Sequence, residues 1–173
     1  MAEPDKVSYF VKDEASFPLN GEEVGNYTGF GVKTASSTGT YETMLAFKAT
    51  ESSTSGFGEF KYTSPKLGGS NWSIESRTRA MSDETVTQRF AGKYSTNLSK
   101  DVSIYEIAGV NSKFSLHSGM SSVTPVSLTG IGYNVAQNVN IYGEMEISKS
   151  YNVNSGNWGK ISPNAYVGMK ITF

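Results

Sequence analysis

The chain contains no cysteine. That excludes disulfides as a source of stability, together with thiolate metal sites and cysteine nucleophiles. It also has no long hydrophobic run. The longest apolar stretch is about four residues, Met44–Phe47, whereas a membrane-spanning helix requires about 20. Proline is scarce at five residues, histidine occurs once, and no stretch is rich in the helix formers alanine, leucine, glutamate and lysine. The formal charge of −1 leaves no basic footprint for nucleic acid.

What is present is alternation. From Asn164 to Phe173 the apolar residues Ala165, Val167, Met169, Ile171 and Phe173 fall on one face, and Asn164, Tyr166, Gly168, Lys170 and Thr172 on the other. In 41–50, Tyr41, Thr43, Leu45, Phe47 and Ala49 oppose Glu42, Met44, Ala46, Lys48 and Thr50. In 72–81, Trp72, Ile74 and Ala80 oppose Ser73, Glu75, Arg77, Arg79 and Met81. Three charges in one phase of a strand cannot face hydrocarbon, where a lysine or arginine near the midplane costs about 2–4 kcal/mol. They face a lumen instead. A wall with one apolar residue in two also explains how 37% hydrophobic residues and a mean hydropathy of −0.35 are compatible with a membrane.

Ten strand-like segments follow from this pattern: 6–12, 26–35, 41–50, 56–64, 71–81, 85–95, 101–110, 123–134, 138–148 and 164–173. The expected fold is all-β, a single domain over 1–173 forming a closed antiparallel up-and-down transmembrane barrel of about ten strands, with eight or twelve as alternatives. Turns near Ser36–Gly39, Pro65–Ser70, Thr96–Lys100 and Val135–Gln137 are expected on the periplasmic side. Glu14–Gly25, Glu51–Ser55, Met81–Glu84, Asn111–Ser122 and Tyr151–Pro163 are expected as outer loops, longer than the periplasmic turns.

The same phasing directs Lys33, Glu42, Lys48, Glu59, Lys61, Glu75, Arg77, Arg79, Arg89, Lys93, Glu144, Glu146 and Lys170 into the lumen, about eight basic against five acidic groups. Tyr27, Tyr105, Tyr133, Tyr142 and Tyr166 are expected to point inward with them. Leu45, Phe47, Ile74, Phe90, Ile141 and Val167 are expected to face lipid. Trp72, Tyr41, Tyr62, Tyr94 and Phe173 suit interfacial girdles, and Trp158 suits a ligand contact in the final loop. Glu106 breaks the pattern, since strict alternation with Val102 and Ile104 turns it toward lipid. A bulge, an interfacial depth or a shifted phase would each account for it.

A weak repeat relates Leu98–Tyr105 to Val135–Tyr142, each a tight polar turn followed by V-x-I-Y. The run Tyr94–Tyr105 (YSTNLSKDVSIY) and the ending Val167–Phe173 resemble hairpins and the closing strand of the Gram-negative general porin family. The resemblance implies an outer-membrane barrel, with Tyr166, Met169, Ile171 and Phe173 as the signal read by the assembly machinery. General porins are about twice this length, with sixteen strands and a long inward-folded loop that has no counterpart here, so their pore size does not carry over.

Met1-Ala2-Glu3-Pro4 reads as a mature start at Ala2 after an initiator methionine, with no signal peptide before it. An enzyme is not expected. His117 lies beside Ser115 and Ser118 in a Ser/Gly-rich stretch, and the His-x-Ser spacing of the lipid A deacylase family is unmatched because position 119 is glycine. Asp83-Glu84 and Glu22-Glu23 read as solvated loop charges, so neither metal nor cofactor is expected. The expected function is a small channel for ions or small polar solutes. The alternative is a pore-less adhesin or structural barrel acting through loops 14–25, 111–122 and 151–163. Expected partners are outer-membrane lipid and lipopolysaccharide, the assembly machinery and small polar solutes, with no nucleic acid; the oligomeric state is left open.

Overall fold

Alternating side chains give each segment one apolar and one polar face, and ten such segments satisfy every backbone group only by closing on themselves. The computed structural model describes residues 5–173, so Met1–Pro4 and the reading of a start at Ala2 lie outside the described residues. Its strands are β1 (Lys6–Pro18), β2 (Gly25–Ser36), β3 (Gly39–Thr50), β4 (Thr54–Thr63), β5 (Trp72–Met81), β6 (Thr85–Asn97), β7 (Val102–Ser115), β8 (Gly119–Ala136), β9 (Val139–Asn152) and β10 (Asn157–Thr172). Each pairs antiparallel with its sequence neighbours, and β1 pairs with β10 from Phe10↔Thr172 to Pro18↔Asn164, which closes the barrel. Phe173 extends that seam through a bond from its N–H to the Tyr9 carbonyl, 2.8 Å.

The apolar face points outward. Leu45, Phe47, Phe90 and Val167 are exposed at 70%, 69%, 64% and 55%, which in a protein whose outside met water would be an unexplained liability. Ile141 is also exposed, and Ile74 is half-buried on the same outer face. At the end that carries both termini, Trp72 packs edge-on against Tyr94 with centroids 5.4 Å apart, and Tyr41 lies 5.1 Å from Tyr62. Glu106 sits on the outer face opposite Tyr94, with no register shift near it. An interfacial depth beside this aromatic pair therefore accounts for it, without a bulge.

Several connections are shorter than the sequence suggests. At the end away from the termini they are only 19–24, 51–53, 82–84, 116–118 and 153–156. Half of 14–25 and most of 111–122 and 151–163 is strand, because polar residues that look like loop also suit a wall rising beyond the apolar belt. The longest connection, 64–71, with a single 3₁₀ turn at Leu67–Gly69, lies at the end of the termini, the reverse of the expected asymmetry. Asymmetry resides in strand length instead: β8 and β10 run 18 and 16 residues against 10 for β4 and β5.

Candidate functional site

Inside the barrel the inward faces leave a cavity of about 570 Å³. Its lining reaches from Asp83 and Thr85 at one end to Asn140 and Lys170 toward the other. Glu42, Glu59, Lys61, Glu75, Arg77, Arg79, Arg89, Lys93, Glu144, Glu146 and Lys170 border it. Lys33 and Lys48 share the inward phase but lie off this cavity, Lys48 reaching toward Gly25 at the end away from the termini. Lys12, Glu14, Asp83 and Lys113 also border the cavity, and sequence reasoning missed them. For β1 the signal was present: Phe10, Lys12 and Glu14 continue the alternation begun at Ser8, but the pair Asp13-Glu14 reads as the start of a loop.

Five of the acidic groups, Glu14, Glu42, Glu59, Glu144 and Glu146, are closely partnered. Glu59 accepts from Arg79 Nη2 at 2.6 Å and Nε at 3.0 Å, with Arg77 Nε 3.9 Å away. Glu42 lies between Lys61 at 2.6 Å and Lys170 at 2.5 Å. Arg89, 3% exposed, donates to Glu146 and to Asn111 Oδ1, each at 2.8 Å. Lys12 approaches Glu14 at 3.0 Å, and the Tyr142 hydroxyl donates to the same carboxylate at 2.6 Å. Tyr105 donates to Glu144 at 2.5 Å. Two of these ion pairs cross the lumen, Arg89–Glu146 from β6 to β9 and Lys170–Glu42 from β10 to β3. Charges taken partly out of water need such pairing, because an unpaired one carries its desolvation cost with no attraction to offset it.

Aromatic rings lie against several of the cations. Arg79 stacks 4.3 Å from the Phe57 centroid, Lys170 lies 3.9 Å from that of Phe10, and Lys93 lies 4.9 Å from that of Tyr105. The rings themselves lie against the wall because glycine leaves space there. A Cβ at Gly130 would meet the Tyr105 ring, and one at Gly168 would meet the Tyr142 hydroxyl. Rings folded onto glycine leave the charged side chains to border the cavity. Tyr27, Tyr105, Tyr142 and Tyr166 border the cavity, but Tyr133 is 50% exposed on the outer face. The phase of β8 is set by Val126, Leu128, Gly130 and Gly132 turning inward, which forces Tyr133 out.

No family model matches the chain, and no curated protein matches it. Among solved structures, a NanC porin is similar over 93% of this chain and 98% of that one, at 11% identity and a TM-score of 0.55. The chain has the fold of a transmembrane β-barrel. A KdgM porin in complex with disordered oligogalacturonate matches at 13% identity over 97% and 99% of the two chains, with a TM-score of 0.46. Neisserial surface protein A matches at 13% identity over 100% and 99%, with a TM-score of 0.44.

Outside the lumen, His117 pairs through Nε2 with Glu84, both exposed on neighbouring connections. The Ser115 hydroxyl oxygen accepts the backbone N–H of His117, 3.3 Å, so it is engaged with main chain and not with the imidazole. Trp158 stacks 5.1 Å from Tyr151 with Lys149 Nζ 5.6 Å from its ring centroid, an arrangement on the outer wall of β9–β10. Among the described residues no group of three or more His, Cys, Asp or Glu side chains is placed to hold a metal.

Proposed function

We propose that this chain is a bacterial outer-membrane barrel that acts as a narrow porin-like channel for small polar solutes and weakly prefers anions. The observation that carries the reading is the 570 Å³ cavity along the lumen, bordered by eight basic and seven acidic side chains, with Lys33 and Lys48 as further inward cations. The charges that border the cavity are nearly balanced, and the inward excess of three cations rests on that last pair. Low-dielectric walls focus such an excess, so a solute that enters meets a mildly positive path. The apolar outer belt supports the location, and the partners this reading implies are the assembly machinery and outer-membrane lipid. Tyr166 faces the cavity, so the surface offered to that machinery is Met169, Ile171 and Phe173.

A second reading has its own support, a pore-less barrel that acts as a surface protein. Arg89–Glu146 and Lys170–Glu42 join strands three apart across the lumen and narrow the space left for a solute. The short connections leave little loop for an adhesin, so binding would rest on the tall rims of β7–β10.

Single-channel recording in a planar bilayer decides between the two. The expected result is a small conductance whose reversal potential in a salt gradient favours anions. The preference should fade with salt as the screening length falls from about 30 Å at 0.01 M to about 3 Å at 1 M. Silence of the wild type would leave the pore-less barrel, and preference for cations would overturn the charge assignment.

A further inference from the structure

On the outer wall, polar side chains cluster across three neighbouring strands. Ser76 and Thr78 on β5, Gln88 on β6 and Ser112 on β7 share the outward phase of Ile74, Ala80 and Phe90, whereas the intervening Arg77, Arg79, Arg89 and Asn111 border the lumen. The register sets Thr78 opposite Gln88 and Gln88 opposite Ser112. Each of the three lies six residues along its strand from Trp72, Tyr94 or Glu106 at the interface, about 15 Å in depth for a tilted strand, inside an apolar band about 25 Å tall.

The hydrogen bonds within this patch do not use all of its donors. The Thr78 hydroxyl donates to Gln88 Oε1, and Gln88 Nε2 donates to Ser76 Oγ at 3.0 Å. The second amide hydrogen of Gln88 and the hydroxyl hydrogens of Ser76 and Ser112 have no acceptor among the described residues. Acyl chains accept nothing, so each remains unsatisfied in lipid.

We propose that a second copy of this chain covers the patch, with Gln88 at the centre of a two-fold contact. A two-fold axis along the membrane normal brings groups of equal depth together, and an amide that both donates and accepts is complementary to itself. Ala80 and Ala108 flank the patch with small side chains on the same outward phase. The other polar outward pair, Thr28 donating to Asp13 at 2.6 Å on β2 and β1, is a poor symmetric contact because it would set two carboxylates against each other. The proposal needs the transmembrane fold and not a conducting lumen.

The absence of cysteine makes the test direct. Ser76→Cys, Ser112→Cys and Asp13→Cys are made singly, reconstituted into phospholipid vesicles and treated with a short bis-maleimide, with folding checked by the β-sheet circular dichroism of each. Positions 76 and 112 are expected to yield covalent dimers and position 13 none. In single-molecule photobleaching the Gln88→Leu/Thr78→Val variant is expected to dissociate about tenfold more readily than wild type, the size of effect a few interhelical-strength hydrogen bonds in a bilayer provide. Monomers at every protein-to-lipid ratio, crosslinking at position 13 in preference to 76 and 112, or an unchanged dimer in the double variant would each overturn the proposal.

Discussion

At the scale of single residues, the clearest chemistry is a carboxylate held by neighbouring hydroxyls. Glu23 accepts from the Ser52 hydroxyl at 2.7 Å and backbone N–H at 3.3 Å, which joins connection 19–24 to 51–53. The Ser52 hydroxyl, with a further contribution from Thr50, holds this carboxyl below its ordinary 4.5. A depressed carboxyl contributes stability above its unfolded value and loses it as pH falls through the folded one. The link between the connections is therefore present at neutral pH and released in acid. A carboxyl titration by NMR is expected to place Glu23 below 4.5 and to return it toward that value in Ser52→Ala. In the lumen, Gly130→Val is expected to displace the Tyr105 ring toward the centre, narrowing the conductance at a cost of about 1–3 kcal/mol of stability from overpacking. Bilayer recording and chemical unfolding read the two effects separately, and an unchanged conductance would show that Tyr105 does not bound the path.

At the scale of elements, one phase between register shifts assigns the side chains of each strand to lipid or lumen. Spin labels at Leu45, Phe47, Ile74, Phe90, Ile141 and Val167 are expected to be more accessible to oxygen than to a polar relaxation agent, and labels at Glu42, Lys48, Arg77, Arg79 and Glu144 the reverse. Equal accessibility at the first set would defeat the membrane assignment. For β10, the Phe173 side chain is 72% exposed, while its backbone bonds Tyr9 across the seam. Phe173→Ser keeps those backbone bonds and removes only the aromatic. It is expected to refold into detergent like wild type but to reach the outer membrane of cells poorly. Wild-type levels there would remove the role of the terminal aromatic in assembly.

At the scale of the whole molecule, the ion pairs decide whether the lumen is a path or a plug. Arg77→Gln/Arg79→Gln strips Glu59 of its guanidinium partners. If both arginines line water, the variant is expected to conduct with less anion preference than wild type. If the pairs form a closed network, the variant is expected to lose on the order of 3 kcal/mol of stability through the unpaired carboxylate and to show a leak that wild type lacks. Reversal potentials and urea unfolding of the same samples distinguish these outcomes.

Alternation along each strand is written in the order of residues, since successive Cβ atoms point to opposite sides whatever the neighbours are. That is why ten segments and the inward phase of Arg77, Arg79 and Glu144 could be read from the sequence, and why Glu106 stood out as an exception. Where strands stop is not written in the same way. Asp13-Glu14 and the polar stretches 111–122 and 151–163 have loop composition, but backbone pairing with β2, β8 and β9 carries them on as strand. The register of β8 belongs to the tertiary structure too, because Gly130 faces inward where the Tyr105 ring of the neighbouring strand needs the space, and Tyr133 turns outward as a result. Partners such as Arg89 with Glu146, 57 positions apart, depend on which strands the closed barrel sets across from one another. Local alternation thus determined which face each charge takes, and only closure of the barrel decided which charges meet.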